Sequence, residues 1–279
     1  MNQGQTTKEP SAESARAMAE MLRGRLKTDR VGRVLQVLPS VESTNDLARA
    51  AVASAPDPSA VDGHAFLALH QTQGRGRQGR TWSAPPNTSF LGSVILFPGS
   101  RPVATITAAA ALAVIDVVGP LVPTPVTIKW PNDVLAEGKK VAGILIEALT
   151  AAGGAPVFVV GIGVNVNQAL LDFPRELRAS ATSIHCARGY PVDLAEFSAT
   201  LLEALERRYI NLRAREDQAL AEAFLDRLGL RNQPVKIDAG GKLLRGSLDG
   251  LTFEAGIRLT GPKGTQTVPC ETITAIVAT

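Results

Sequence analysis

The chain has 279 residues, 45% of them hydrophobic and 20% charged, with a formal net charge of +3. That length can bury one substantial core and a small second unit, and the composition is that of a globular protein rather than a disordered or fibrous one. The charge excess is too small to point to a nucleic-acid polymer, and the two cysteines, Cys186 and Cys270, form neither a disulfide framework nor a metal-site spacing.

Residues 1–10 read as a disordered tail. A helix is expected over 11–26, weakened at its end by Gly24, and the segment is too short for a helix-turn-helix unit with its own core. The first 30 residues show no signal peptide, and no uninterrupted apolar run reaches membrane-spanning length. A reducing cytoplasm is therefore the default setting. Short β-branched runs bounded by turn residues predict strands over 34–38, 64–69, 89–97, 126–129, 141–148 and 157–164. Helices are expected over 45–54 and 104–118, the second apolar all round and hence buried against a sheet. A long helical stretch with one or two breaks covers 193–228.

After Gly229 the pattern changes to five short strand candidates, 234–238, 242–247, 257–259, 266–268 and 271–277, separated by glycines. The reading is an α+β (mixed α/β) fold: a mixed β-sheet packed with helices, then a small β-barrel. The expected division is 1–30 as tail and short helix, 31–230 as the main domain and 231–279 as the barrel. So small a barrel buries little alone, so docking should contribute to its stability.

Residues 71–82, QTQGRGRQGRTW, alternate Gly74, Gly76 and Gly79 with arginines. Glycines permit tight turns that leave N–H groups open to an anion, and arginines neutralise phosphate with a fixed fork of donors. Trp82 offers a flat surface to a base. The segment fits neither a Rossmann nor a Walker loop, and a solvated basic loop or an RNA contact stays open. No Asp or Glu lies between Asp62 and Asp116, where Arg75, Arg77, Arg80 and Arg101 occur, so a local positive patch is expected. A loop this rich in glycine is expected to be mobile when empty and to close over ligand.

Residues 128–148, IKWPNDVLAEGKKVAGILIEA, place a turn at Pro131-Asn132-Asp133 and another at Gly138 leading into an apolar strand. Lys140 at that strand entrance can reach a pocket and neutralise a carboxylate or phosphate, with Asp133 orienting it; a solvated lysine is the plainer reading. Lys129 reads as a strand-end residue. In GIGVNVN, 161–167, Asn165 or Asn167 could read a base edge or hold phosphate, or close the strand by an Asx turn. In ESTN, 42–45, Ser43 or Thr44 either caps a helix or lines a pocket at its start. The three histidines lack metal spacing, and no GxSxG or cysteine-base pair offers a nucleophile, which favours direct activation of a substrate by ATP.

Together, ESTN at 42–45, QTQGRGRQGRTW at 71–82, KWPNDVLAEGKKVAGILIEA at 129–148 and GIGVNVN at 161–167 resemble the biotin–protein ligase family, over roughly residues 34–279. The resemblance implies a catalytic domain related to lipoate ligases and a C-terminal SH3-like barrel. It implies formation of biotinyl-5′-AMP from biotin and ATP with Mg²⁺, then transfer to a lysine of a biotin carboxyl carrier protein. By the same resemblance Ser43, Thr44 and Gln71 would bond biotin's ureido head, with Asn45, Gly74 and Gly143 in the pocket wall. Arg75 and Arg77 would belong to the loop closing over biotin and adenylate. Lys140 would contact the reacting carboxylate and phosphate, and Trp82, Asn132, Asp133 and Asn165 would face the nucleotide. About 30 residues precede the pattern, so a monofunctional ligase without a DNA-binding domain is expected. DNA and membrane partners are not expected; members of the family include homodimers formed through edge strands, and monomers. A lipoate or octanoate ligase of the same fold, and a nucleic-acid module, are the alternatives.

Overall fold

A computed structural model describes residues 9–151, 154–262 and 264–279. All but the last two residues of the expected 1–10 tail lie outside that range. Helix α1 (Ala12–Arg25) runs through Gly24, because Ser11 and Ser14 close a reciprocal cap at its start and Ala15, Met18, Ala19 and Leu22 are buried on one side. Strand β1 (Leu35–Leu38), helix α2 (Thr44–Ser54), strands β2 (Ala65–Ala68) and β3 (Ser89–Leu96) and helix α3 (Val103–Val118) follow. Strands β4 (Val126–Lys129), β5 (Asp133–Ala136), β6 (Lys139–Thr150) and β7 (Pro156–Asn165) complete a seven-stranded sheet of order β1-β2-β3-β7-β6-β5-β4. Only β1 and β2 pair in parallel; the other neighbours are antiparallel, so the sheet is mixed.

Helix α3 is buried on nearly all sides, between the sheet and helices α5 (Leu194–Arg213) and α6 (Asp217–Leu228), which follow the short helix α4 (Ile184–Arg188). Its alanines remove the bulk that would hold neighbours apart. By length and composition Val103–Leu121 is apolar enough to cross a membrane, which the sequence reading did not see. With 72% of its apolar window buried inside the protein, it is a core helix. Asp116 leaves the core sideways, pairing with Arg208 of α5 at 2.9 Å.

Strands β8 (Pro234–Ala239), β9 (Lys242–Thr252), β10 (Gly256–Gly261), β11 (Gly264–Val268) and β12 (Ile273–Ala278) form an antiparallel sheet of order β11-β10-β9-β8-β12. Four strands meander and the fifth returns to the first, as a small SH3-like barrel requires. Its core is continuous with the main one. Trp130 bridges the two: its indole N–H donates to the Ile273 carbonyl at 3.1 Å, and its ring meets Phe224 edge-on, which in turn meets Phe253.

Two buried carboxylates fasten the N-terminal segment to the sheet and helices. Glu206 of α5 accepts from the backbone N–H groups of Asp29, Arg30 and Val31 at 2.7, 3.2 and 2.8 Å. Asp62 accepts from Tyr209 Oη at 2.8 Å, the Phe97 N–H at 3.2 Å and Arg30 at 2.9 Å. Burial, then this bond to Asp62, pushes the Tyr209 phenol well above its usual pKa.

The structure departs from the sequence reading at three elements. Asp133, expected in the 131–133 turn, and residues 134–136, for which no element is expected, form β5, paired to both β4 and β6. Short strands of mixed polarity carry no periodicity long enough to register. The final strand begins at Ile273, because residues 270–272 wind into a 3₁₀ turn after Pro269. Helix α4 was not anticipated, being five residues long.

Candidate active site

The two faces of the seven-stranded sheet differ. One carries α3, α5 and α6 and most of the core. The other is covered by α2 and a small cluster of Ala48, Val52, Val61, Phe66, Ile95, Val157 and Val159. Cross-strand pairing puts Ser93 beside Gly161 and Gly161 beside Leu145; one step along, Gly163 pairs with Gly143 and Gly143 with Asp133. Alternation places these residues, with Glu147, on the α2 face. Most, but not all, of the sequence-predicted residues lie along this strip or at its ends.

At one end lies the start of α2. Ser43 is the N-cap residue but its side chain makes no cap bond, and no partner for its hydroxyl occurs among the described residues. The Thr44 N–H donates to Gln71 Oε1 at 2.8 Å, and the Thr44 hydroxyl lies 3.1 Å from the same oxygen and 2.7 Å from Ser93 Oγ. Ser93 donates to Asn45 Oδ1 at 2.6 Å, and Asn45 Nδ2 donates to Glu147 Oε1 at 2.7 Å. Asn45 reaches this position because Gly161 has no side chain: a Cβ there would lie 2.3 Å from Asn45 Oδ1.

The glycine–arginine segment arches over the strip as a narrow hairpin. Trp82 N–H donates to Gly74 O at 2.8 Å, Gly76 N–H to Arg80 O at 2.7 Å, and Arg75 bridges to Thr81. A Cβ on Gly74 would meet the Trp82 carbonyl at 2.3 Å, so the crossing needs glycine. Arg75 reaches down to Asp46 at 2.7 Å and Glu147 at 3.4 Å. The expected positive patch is thus partly neutralised by acids from other elements. Arg101 is not part of it: the side chain is buried elsewhere, against Asp217 at 3.3 Å and the Leu212 carbonyl.

Mid-strip, the Trp82 ring lies on Gly163 and Gly143, where added Cβ atoms would meet it at 2.6 and 3.1 Å. Its indole N–H is buried with no partner among the described residues. Lys140 Nζ sits 5.5 Å from that ring's centroid and 2.7 Å from Asp133 Oδ1. The Lys140 backbone is fixed from the other side, its N–H donating to Ser180 O and its C=O accepting from Thr182 N–H. Arg77, at the hairpin tip, has a pKa lowered by loss of solvent and partly restored by the Asp133 charge, which puts it at the same end.

Two residues expected at the nucleotide each have protein partners in this structure. Asn132 Nδ2 donates to the Ile144 carbonyl at 2.7 Å. The buried Asn165 donates to Thr182 O at 2.9 Å and accepts from Gln168 at 2.9 Å. Asn167 likewise clasps the Val192 backbone through both amide groups. These amides brace strand ends and loops, the Asx-like alternative left open by the sequence. Ser93, Asp46, Glu147, Gly161 and Gly163 were not singled out. Their signals were a polar residue inside an apolar strand, a lone acid in GILIEA, and glycines overshadowed by the asparagines beside them.

Residues 37–167 match the profile of the Biotin/lipoate A/B protein ligase family. A biotin–[acetyl-CoA-carboxylase] ligase of Mycobacterium tuberculosis is 39% identical over 196 residues, covering 68% of this chain and 69% of the relative. A protein of the same description from Paracoccus denitrificans is 35% identical, covering 73% of this chain and 86% of the relative. Among solved structures, the biotin protein ligase from Aquifex aeolicus in complex with biotin and ATP superposes with a TM-score of 0.74 at 24% identity, covering 88% of this chain and 100% of that one. The fold and the matched blocks define a ligase of the biotin/lipoate class. Within that class, the chain belongs to the biotin–protein ligase family.

Proposed function

We propose that the chain activates biotin with ATP as biotinyl-5′-AMP and passes the biotinyl group to a lysine of a biotin carboxyl carrier protein, such as the carrier of acetyl-CoA carboxylase. The observation that carries this reading is the single strip on the α2 face. A polar cluster of Ser43, Thr44, Asn45 and Gln71 is followed along the strip by Trp82 and the Lys140–Asp133 pair, under one arginine hairpin. Successive glycine rows are two residues apart, ~7 Å along a strand, a scale suited to a small bicyclic head with an acyl chain. In this reading residues 31–230 form the catalytic unit and 231–279 its C-terminal companion.

In the first step an oxygen of biotin's carboxylate attacks the α-phosphorus of ATP. A new P–O bond forms as the bond to the β-phosphate breaks, and pyrophosphate leaves. Lys140 faces both reacting groups and neutralises charge that grows in the transition state, while Asp133 holds its ammonium in line. Arg75 and Arg77 carry the hairpin over the intermediate, Trp82 packs near adenine, and Asn132 and Asn165 act by bracing the backbone around it. ATP enters as its Mg²⁺ complex, the ion travelling with the phosphates. Among the described residues no group of three or more His, Cys, Asp or Glu is placed to hold a metal. In the second step the carrier lysine's neutral amine attacks the acyl carbon, a C–N bond forms, AMP leaves and one proton is released. Covering the anhydride limits its hydrolysis.

ATP–pyrophosphate exchange with biotin, lipoate or neither tests the reading. Exchange is expected with biotin alone; exchange with lipoate and not biotin overturns the substrate. Lys140→Ala should slow exchange ~10²–10³-fold, the loss typical of a donor aimed at developing charge. An unimpaired variant removes Lys140 from the step.

A further inference from the structure

Resting on the biotin reading, we propose that Glu147, Asn45 and Ser93 are positioning residues that set the proton direction of the Thr44 hydroxyl. Thr44 then faces the pocket only as an acceptor, and the site selects a ring N–H over a ring oxygen at that point.

The donors are ordered from one fixed end. Glu147 lies between two guanidinium groups, Arg75 at 3.4 Å and Arg49 at 3.5 Å, and as a carboxylate it can only accept. Asn45 must therefore turn Nδ2 toward it, as the 2.7 Å contact shows, which leaves Oδ1 facing Ser93. An amide oxygen has no proton to give, so the 2.6 Å contact uses Ser93's single proton. Two hydroxyl oxygens 2.7 Å apart need a proton between them, and only Thr44's remains, with Gln71 Oε1 at 3.1 Å its second, longer acceptor. Its own lone pairs are then what a ligand meets. Each bond in such a chain polarises the next, so the anionic end strengthens Thr44 as an acceptor.

The same ordering fixes Gln71. Its Oε1 takes the Thr44 N–H, so its Nε2 is turned the other way, toward Gly74, with no partner among the described residues. Beside Ser43, the pocket thus offers donors next to a committed acceptor, the complement of a cyclic urea with its C=O flanked by N–H. Ser93 is fully buried and Asn45 nearly so, so water has little means of relaxing the chain.

The test is isothermal titration of biotin and of the two cyclic carbamates in which oxygen replaces one or the other ureido N–H. Wild-type protein should bind biotin ~10–100-fold tighter than the carbamate that puts oxygen opposite Thr44, the range for one lost hydrogen bond with an acceptor facing an acceptor. Glu147→Gln lets Asn45 flip and the chain reverse; Ser93→Ala removes the shorter acceptor, leaving the Thr44 proton only the 3.1 Å contact to Gln71 Oε1, without touching the Glu147–Arg75 contact. In both variants Thr44 can donate to the ring oxygen, and the preference should fall to within ~3-fold. Thr44→Ser, which keeps the hydroxyl, should retain the preference. Equal weakening of both ligands in folded Glu147→Gln and Ser93→Ala, with the ratio unchanged, would mean a merely structural role and overturns the relay. Wild-type protein that bound neither ligand would overturn the biotin reading itself.

Discussion

Two buried polar clusters in this molecule use similar chemistry for opposite ends. At the N-terminal clamp, Glu206 and Asp62 are matched oxygen by oxygen with backbone N–H groups, a phenol and a guanidinium. On the α2 face, Ser43 Oγ, Gln71 Nε2 and Trp82 Nε1 have no partners among the described residues. A buried donor without a partner carries a desolvation penalty, which the matched clamp carboxylates avoid and the buried Trp82 Nε1 bears. The clamp holds the fold together; the strip leaves capacity for chemistry.

That contrast can be broken at its strongest point by Glu206→Ala, which leaves three N–H groups without their acceptor. Each charge-assisted bond contributes ~1.5–3 kcal/mol, so the variant should lose ~3 kcal/mol or more in urea unfolding even after water replaces part of the set. Its exchange activity per folded molecule should stay near wild type. A stable but inactive variant would merge the two clusters.

The converse variant, Gly163→Ala, places a Cβ 2.6 Å from the Trp82 ring and should tilt the indole off the sheet. Biotin-dependent exchange should fall ~10-fold or more, since sub-ångström misplacement of reacting groups is enough for that. The melting temperature should move less than in Glu206→Ala. Loss of stability with exchange intact would show that Trp82 is packing rather than part of the site.

The smallest effect lies at a helix cap outside both clusters. Asp193 caps α5, and the N–H of Glu196, then the bond from Arg25, hold its carboxyl below the ordinary 3.8. A depressed pKa contributes stability above the unfolded value and loses it as pH falls through the folded one. Asp193→Ala should therefore cost about 1 kcal/mol near neutrality. The difference from wild type should shrink below about pH 4. A deficit constant across that range would assign the effect to helix propensity and not to the charged cap.

Much of the candidate site was legible as blocks, because glycine, arginine, lysine and proline mark turns and anion contacts through local constraints that need no partner. The hairpin over 74–82 and the lysine at the start of β6 are of this kind. Ser93 and Glu147 were not, because a serine or glutamate within a strand has no local signature of what lies across the sheet. Likewise β5 lacked the length for a periodic signal, although its register puts Asp133 within reach of Lys140.

The sequence by itself determined the mixed-sheet architecture, the apolar core helix, the barrel-like C-terminal strands and the family. Each rests on patterns repeated along the chain or on residues whose backbone preferences are intrinsic. Tertiary structure alone decided that Arg75 would be neutralised by Asp46 and Glu147 and that Arg101 would be buried far from the hairpin. It also decided that Asn132 and Asn165 would brace backbone, and that a carboxylate on β6 would orient hydroxyls on β3 and α2. Hydrogen-bond direction and charge neutralisation depend on which groups meet across strands, and that is fixed only when the sheet closes.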